Sequence, residues 1–281
     1  RPSGREPEPT RLLFIGSFRT GAASASSTET LMITGTGASI GTMQLMAKGF
    51  HKNHPTVPVK VLPSIGSTGG IRAVQDGKID LGLSSRPLKP EERSAGIVEE
   101  PYGRTAFIFG VQDANSTKGF TLAEIEDIYA GKRTSWPNGT PIRLILRPLS
   151  DAYSTYLSSI NPGLKSASEK AHSIPGVFVG NTDQDAAAQL EKTPGSFGTT
   201  SSSLVAAEKR KIKALSVDGI APTLSNVSAG TYPYALTLSL VYKKDTDKGA
   251  VHAFLAFVFS KDGQKLLAAT GPVPVQRITG K

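Results

Sequence analysis

Thr34-Gly35-Thr36-Gly37-Ala38-Ser39, entered from Leu31-Met32-Ile33 and left through Ile40, is the stretch that decides the fold. A short apolar run suited to a strand ends in a glycine turn. A helical pattern follows at once, with Ile40, Met43, Met46, Ala47 and Phe50 on one face of a helix over 40–54. The same succession then recurs. Residues 57–63 alternate as a strand, enter Gly66-Ser67-Thr68-Gly69-Gly70, and give way to a helix through Ile71, Val74 and Gln75. Residues 79–83 form the next strand and lead into Ser84-Ser85-Arg86. Repeated strand–turn–helix units predict a mostly parallel α/β sheet with its loops gathered at one edge.

Farther along, 105–111 reads as a strand that carries the chain toward another lobe. Residues 121–130 read as a helix, with Thr121 and Glu124 as a reciprocal capping box. A strand over 142–146 delivers Arg147 at its carboxyl end, in Arg147-Pro148-Leu149-Ser150, and a helix through 153–160 succeeds it. A helix over 182–191 starts with Asp183 and Asp185 in its first turn, where a negative charge favours the helix dipole. Phe197-Gly198 followed by 201–207 reads as a short strand and turn, 234–242 as a strand, and 250–260 and 263–269 as terminal helices. The layout makes residues 1–30 an N-terminal extension, 31–105 and 230–281 a first lobe, and 106–229 a second. Two crossing segments between the lobes make a hinge.

Bulk properties narrow the classes. The 281 residues, 38% hydrophobic and 20% charged, suit a soluble globular chain with a large core. A net charge of +9 is compatible with nucleic acid, anionic surfaces or small anions as partners. Basic residues are spread along the chain, however. Only Lys209-Arg210-Lys211 with Lys213 forms a compact cluster, which reads as a solvated helix end. With Trp136 the only tryptophan and no DNA-reading motif, nucleic acid is not an expected partner. The absence of cysteine rules out disulfides and thiol chemistry. His51, His54, His172 and His252 have no partners at metal-site spacing, so neither metal nor cofactor is expected. Near the start, Arg11-Leu12-Leu13-Phe14-Ile15-Gly16-Ser17-Phe18 and the Ala/Ser-rich run through Ser27 resemble a short apolar segment with a small-residue cleavage region.

The Gly, Ser, Thr and Arg turns supply hydroxyls, bare N–H groups and a guanidinium, which is equipment for holding an oxyanion. Ser39 or Thr36 can cap the helix entered at Ile40, whose first-turn amides can hold an anion. No Gly-Lys-Ser/Thr follows, and the later glycine and acidic residue of a dinucleotide fingerprint are missing. Ser67 and Thr68 offer donors, while Gly69 and Gly70 permit close approach. Arg86 reads as a ligand contact or as an interlobe or surface pair. Arg147 reads as a fork for two oxygens or as a structural salt bridge. No histidine stands in triad order with Ser150 and Asp151, and no Gly-x-Ser-x-Gly elbow is present. Asp183 and Asp185 read as helix-start charge, so no catalytic residue is assigned and the chain reads as a binder rather than an enzyme.

In order and wording, these segments resemble the phosphate-binding proteins of bacterial ABC transporters. The resemblance covers about 31–275. It rests on Ile33-Thr34-Gly35-Thr36-Gly37-Ala38-Ser39, on Phe50-His51-Lys52-Asn53-His54-Pro55-Thr56-Val57-Pro58-Val59, on Gly66-Ser67-Thr68-Gly69-Gly70-Ile71 and on Asp80-Leu81-Gly82-Leu83-Ser84-Ser85-Arg86-Pro87-Leu88. Thr121 through Gly131, Gly195-Ser196-Phe197-Gly198-Thr199, Thr231-Tyr232-Pro233, Phe259 through Gln264 and Gly271 through Val275 continue it. It implies a two-lobed periplasmic binding protein fold of the type II kind, with mixed sheets and flanking helices. It also implies a monomeric periplasmic or extracytoplasmic receptor for inorganic phosphate or a related oxyanion, with a membrane ABC permease as partner.

Carried over by motif, Ser39 with the Ala38 and Ile40 amides holds one side of the anion, and Thr68 with the Gly69 and Gly70 amides another. Ser85 stands where such proteins commonly place an Asp that accepts the phosphate proton. Arg147 matches their Arg, while Ser150 is a looser match because Asp151-Ala152 replaces the usual Gly-Thr. Replacing an aspartate by Ser85 removes a negative charge, which leaves sulfate or another oxyanion open beside phosphate. An extracellular interaction protein with an altered cleft is the reading from a different class. A phosphate-ester hydrolase has no support from the residues.

Overall fold

The computed structural model describes residues 30–277. The readings placed on the N-terminal extension and on the last four residues of the chain lie outside the described residues. The chain opens with β1 (Leu31–Gly35), α1 (Gly37–Asn53), β2 (Val59–Val61), α2 (Gly66–Gln75), β3 (Leu81–Ser84) and α3 (Pro90–Ser94). β2 and β3 pair parallel to β1 on its two sides, as strand–turn–helix repeats require. All three strands therefore point their carboxyl ends, and the turns that follow them, to one edge.

β4 (Ile97–Gln112) then runs through the whole molecule. After it come β5 (Gly119–Phe120), α4 (Leu122–Tyr129), β6 (Arg143–Leu146), α5 (Ala152–Ile160), α6 (Pro162–Ala171), β7 (Phe178–Val179), α7 (Asp183–Lys192), β8 (Ser196–Ser201) and α8 (Ser202–Ala207). β9 (Ile212–Ala214), β10 (Ser216–Val217), α9 (Leu224–Ala229), β11 (Ala235–Lys243), α10 (Gly249–Phe259), α11 (Lys261–Ala269) and β12 (Val273–Pro274) complete it. The strand order is β2-β1-β3-β11-β4-β8-β6-β7. β11 pairs antiparallel with β4 from Ile97 to Ala106, and β8 pairs antiparallel with it from Phe107 to Val111. β6 and β7 then extend the second half-sheet in parallel with β8. The result is two half-sheets with flanking helices, a two-lobed α/β fold.

The strand expected over 105–111 is thus the second part of a longer one. Its first part holds Pro101 and Gly103, residues that disfavour a regular strand. Along β11, Leu238 faces Gly103 and Ser239 faces Pro101, so Tyr102 is an extra residue, a bulge. A bulge accommodates a proline that cannot donate to the ladder and re-aims the side chain it carries. Tyr102 is fully buried, and its hydroxyl donates to Ser39 Oγ at 2.6 Å.

Other differences have local causes. Residues 202–207 are helical rather than a turn, because the Ser201 hydroxyl accepts from the Leu204 amide and caps α8. α6 was not foreseen, although Asn161 caps it through Leu164 N and Pro162 occupies its first position. The Thr121–Glu124 box has the reciprocal geometry expected of it, 3.2 and 2.9 Å. One apolar cluster runs under both half-sheets, from Leu31 and Phe50 to Phe107 and Phe197. Phe50 meets Phe254 edge-on at 5.3 Å, which ties α1 to α10. Among the described residues no helix is long and apolar enough to cross a membrane.

Gly35 is the constraint at the end of β1. Its φ is +150°, and a Cβ there would lie 2.1 Å from the Leu83 carbonyl oxygen. Both backbone conformation and the approach of β3 demand glycine. Gly35→Ala is expected to destabilise the fold by about 3 kcal/mol or more, measured as a lowered urea midpoint with an unchanged slope.

Candidate anion-binding site

Three turns meet where β1, β3 and β6 end. α1 begins at Gly37, earlier than the pattern of apolar residues suggested, with Thr36 in the capping position but making no side-chain cap. Ser39 does not cap either. Its hydroxyl is buried inside the first turn and accepts from Tyr102. A helix leaves free the amides of its cap and first three residues. In α1 the Thr36 amide is taken by the Leu83 carbonyl and that of Ser39 by the Thr36 carbonyl, while those of Gly37 and Ala38 face the Asp183 carboxylate. The same rule applies to α2, whose first residue is Gly66. Its free amides are those of Ser67 and Thr68, while Gly69 and Gly70 lie past them. Gly70 has a packing role instead, since a Cβ there would sit 2.8 Å from Gly35 Cα.

A line of buried hydroxyls joins the turns of the first half-sheet. Ser67 Oγ lies 3.2 Å from Ser85 Oγ and accepts from the Ser85 amide at 3.0 Å. Ser85 Oγ lies 3.1 Å from Thr36 Oγ1. Thr68 is turned outward and its hydroxyl accepts from Arg86 at 3.2 Å. Arg86 itself is engaged by both oxygens of Glu92, at 2.9 and 2.7 Å, so it is a structural ion pair. That guanidinium also holds the Glu92 carboxyl below the usual carboxylate range.

From the second half-sheet β6 delivers Arg147, only 3% exposed. Its Nη2 reaches Asp151 at 2.9 Å and Asp183 at 3.4 Å, and its Nη1 donates to the Gly180 carbonyl. The buried Nε has no partner. Asp151 also caps α5 by accepting from the Tyr153 amide, whereas Ser150 is exposed and stays outside the cluster. His172 stands behind Arg147, its ring nitrogens 2.7 Å from the carbonyl oxygens of Ser168 and Arg147.

The residue that sequence reasoning passed over is Asp183. Asp185 completes the α7 capping box with Thr182, as a first-turn acid should. Asp183 instead points across the cleft. It is 4% exposed, and its Oδ2 accepts from the Ala38 amide at 3.2 Å and from Thr36 Oγ1 at 3.4 Å. Burial pushes its carboxyl up to about 6, against the pull of Arg147 and with a further push from Asp151. The position of Asp183, just after β7 and Gly180-Asn181-Thr182, repeats the strand–turn–helix rhythm and was the available signal. Gln184 adds a second interlobe contact, donating to the Gly37 carbonyl at 3.2 Å, and Ser203 donates to the Ala38 carbonyl at 2.8 Å. Among the described residues no group of His, Cys, Asp and Glu could hold a metal ion.

Gly37 makes this approach possible, because a Cβ there would lie 2.5 Å from Asp183 Cβ. Gly37→Ala suits the helix but overpacks this contact, and is expected to destabilise the fold by about 1–3 kcal/mol. It should push α7 away from α1, seen as faster hydrogen exchange at the Ala38 amide.

Comparison with known proteins places this geometry. The model of the PBP superfamily domain matches residues 20–262. The phosphate-binding protein PstS of Bacillus subtilis (strain 168) is 26% identical over 257 residues, which take in 87% of this chain and 80% of that protein. The phosphate-binding protein PstS 2 of Streptococcus pneumoniae serotype 4 is 29% identical over 106 residues, 38% of this chain; the match spans only 36% of that relative's length. Among solved structures, a phosphate ABC transporter substrate-binding protein of Clostridium perfringens with bound phosphate superposes with a TM-score of 0.77. It is 25% identical, and the match covers 88% of this chain and all of that one. Because the family match takes in both half-sheets and every turn that converges at Arg147, the chain belongs to the PBP superfamily.

Proposed function

We propose that the chain is an extracytoplasmic receptor that captures an inorganic oxyanion, phosphate foremost, between its lobes and passes it to a membrane ABC permease. The observation that carries this is Arg147: a guanidinium 3% exposed, with an unpartnered Nε, joined through the single carboxylate of Asp183 to the first-turn amides of α1. An oxyanion between the two is met by charge-assisted donors from both lobes, the α1 amides and the Thr36 hydroxyl on one side and the guanidinium on the other. The names of the relatives and the phosphate bound in the clostridial structure support phosphate as the anion.

Electrostatics also favours phosphate over sulfate. Asp151 already neutralises much of Arg147, so the pair offers little attraction to a fully ionised dianion. A singly charged, protonated phosphate loses less by entering. The same reading takes residues 31–105 and 230–281 as one lobe and 106–229 as the other. It takes the receptor as a periplasmic monomer that turns nothing over; hydrolysis of a phosphate ester by the purified chain would overturn it.

Calorimetric titration with phosphate and sulfate is the test. Phosphate is expected to bind and sulfate to bind more weakly, whereas heat from neither anion removes the receptor reading. Arg147→Met is expected to weaken phosphate about 100-fold. Because it leaves Asp151 and Asp183 buried without their cation, it should also cost about 3 kcal/mol of stability, read from chemical denaturation at neutral pH.

A further inference from the structure

We propose that Asp183 is a tethered anion that occupies the oxyanion's place, and that a ligand binds by displacing its carboxylate; this rests on the receptor reading above. Its two oxygens span the partners that reading gives to the ligand: Oδ2 takes the Ala38 amide and the Thr36 hydroxyl, and Oδ1 takes Arg147.

Asp183 fills the place incompletely. Its contacts are 3.2 to 3.4 Å long. Charge-assisted bonds close to about 2.7–2.9 Å, and Arg147 reaches that range with Asp151, at 2.9 Å. Beside it, the buried Arg147 Nε is left without a hydrogen bond. A planar carboxylate has two oxygens where a tetrahedral oxyanion has four, so a ligand can meet donors that Asp183 cannot.

Nothing in its own helix holds Asp183 there. α7 is capped by Thr182 and Asp185 and keeps that cap whatever stands at 183. An open cleft of about 580 Å³ borders the same helix start, lined by Ser64, Thr182, Gln184, Asp185 and Glu208 among others. The charged and titratable groups facing Asp183 are Arg147 from β6 and Asp151 and Tyr153 from α5, with only backbone and Thr36 from α1. Burial and Asp151 work against its charge, whereas Arg147 and the Gly37 and Ala38 amides favour it.

The sign of the pH effect follows. In the closed cleft Asp183 titrates near 6, and once displaced into water it returns to about 4. Displacement therefore releases a proton between these values, and ligand binding is hindered as pH falls through the window.

Phosphate affinity of the full chain and of Asp183→Ala, compared by calorimetry at pH 7 and pH 5, tests this. The variant is expected to bind about tenfold tighter at pH 7. Its advantage should widen by about another tenfold at pH 5, where most of the native carboxyl is protonated; phosphate's own ionisation cancels in the ratio. Asp183→Ser gives the same comparison if the alanine variant does not fold. Equal or weaker binding by the variant overturns the proposal and makes Asp183 a ligand partner or a bystander, with the receptor reading intact. If neither protein binds phosphate or sulfate, the receptor reading falls and takes this inference with it.

Discussion

A guanidinium taken out of water has to be surrounded by acceptors, and Arg147 organises much of the second lobe for that reason. An unpaired buried charge costs several kcal/mol even after relaxation. The chain meets the demand from three places: the cap of α5 through Asp151, the end of β7 through the Gly180 carbonyl, and the start of α7 through Asp183. The backbone of the same residue is engaged as well, since its carbonyl accepts from Ser154 and lies against His172 at the end of α6. One side chain at a strand end thus fixes how α5, α6 and α7 are set. Through Asp183 it also reaches the first turn of α1 in the other lobe.

The hydroxyl line Ser67–Ser85–Thr36 gives this arrangement tolerance. Each member can donate or accept, and either atom of the Thr36–Ser85 and Ser67–Ser85 contacts can be the donor. The line can therefore donate a hydrogen bond toward a carboxylate or an ionised oxygen, or accept one from a protonated group, by rotating hydroxyls without moving the backbone. An aspartate at Ser85 would fix that polarity; the serine leaves it reversible.

Much of this was legible in the sequence because parallel strands followed by glycine turns force their carboxyl ends together. The turns at Thr36 and Ser85 were readable as neighbours on that ground, Arg147 was readable only as the residue at the end of a strand in the other lobe, and the capping box at Thr121 was readable from four residues. What escaped was information that is not local. Asp183 has a sufficient local explanation as first-turn charge, and its partners Arg147, Thr36 and Ala38 lie far away in the chain. The Gly69 and Gly70 amides lie farther into the helix than the motif suggested. α2 starts at Gly66, whose φ of +72° turns the chain into the helix, and that shift moves the free amides to Ser67 and Thr68. Arg86 was ambiguous because its partner Glu92 sits on α3, a helix of five residues too short to be read with assurance.

β4 has a mechanical consequence. Two-lobed receptors are often pictured as bodies joined by slack cords, but here a single strand of sixteen residues carries the ladders of both half-sheets, broken only by the bulge at Tyr102. Around Ala106–Phe107 its partner changes from β11 to β8, with no loop in between. Any rotation of one lobe against the other must then be taken up as torsion of a hydrogen-bonded ribbon. Strands twist readily about their own axis and resist bending in the plane of the sheet. The axis of opening should accordingly follow β4, so that the lobes wring rather than gape.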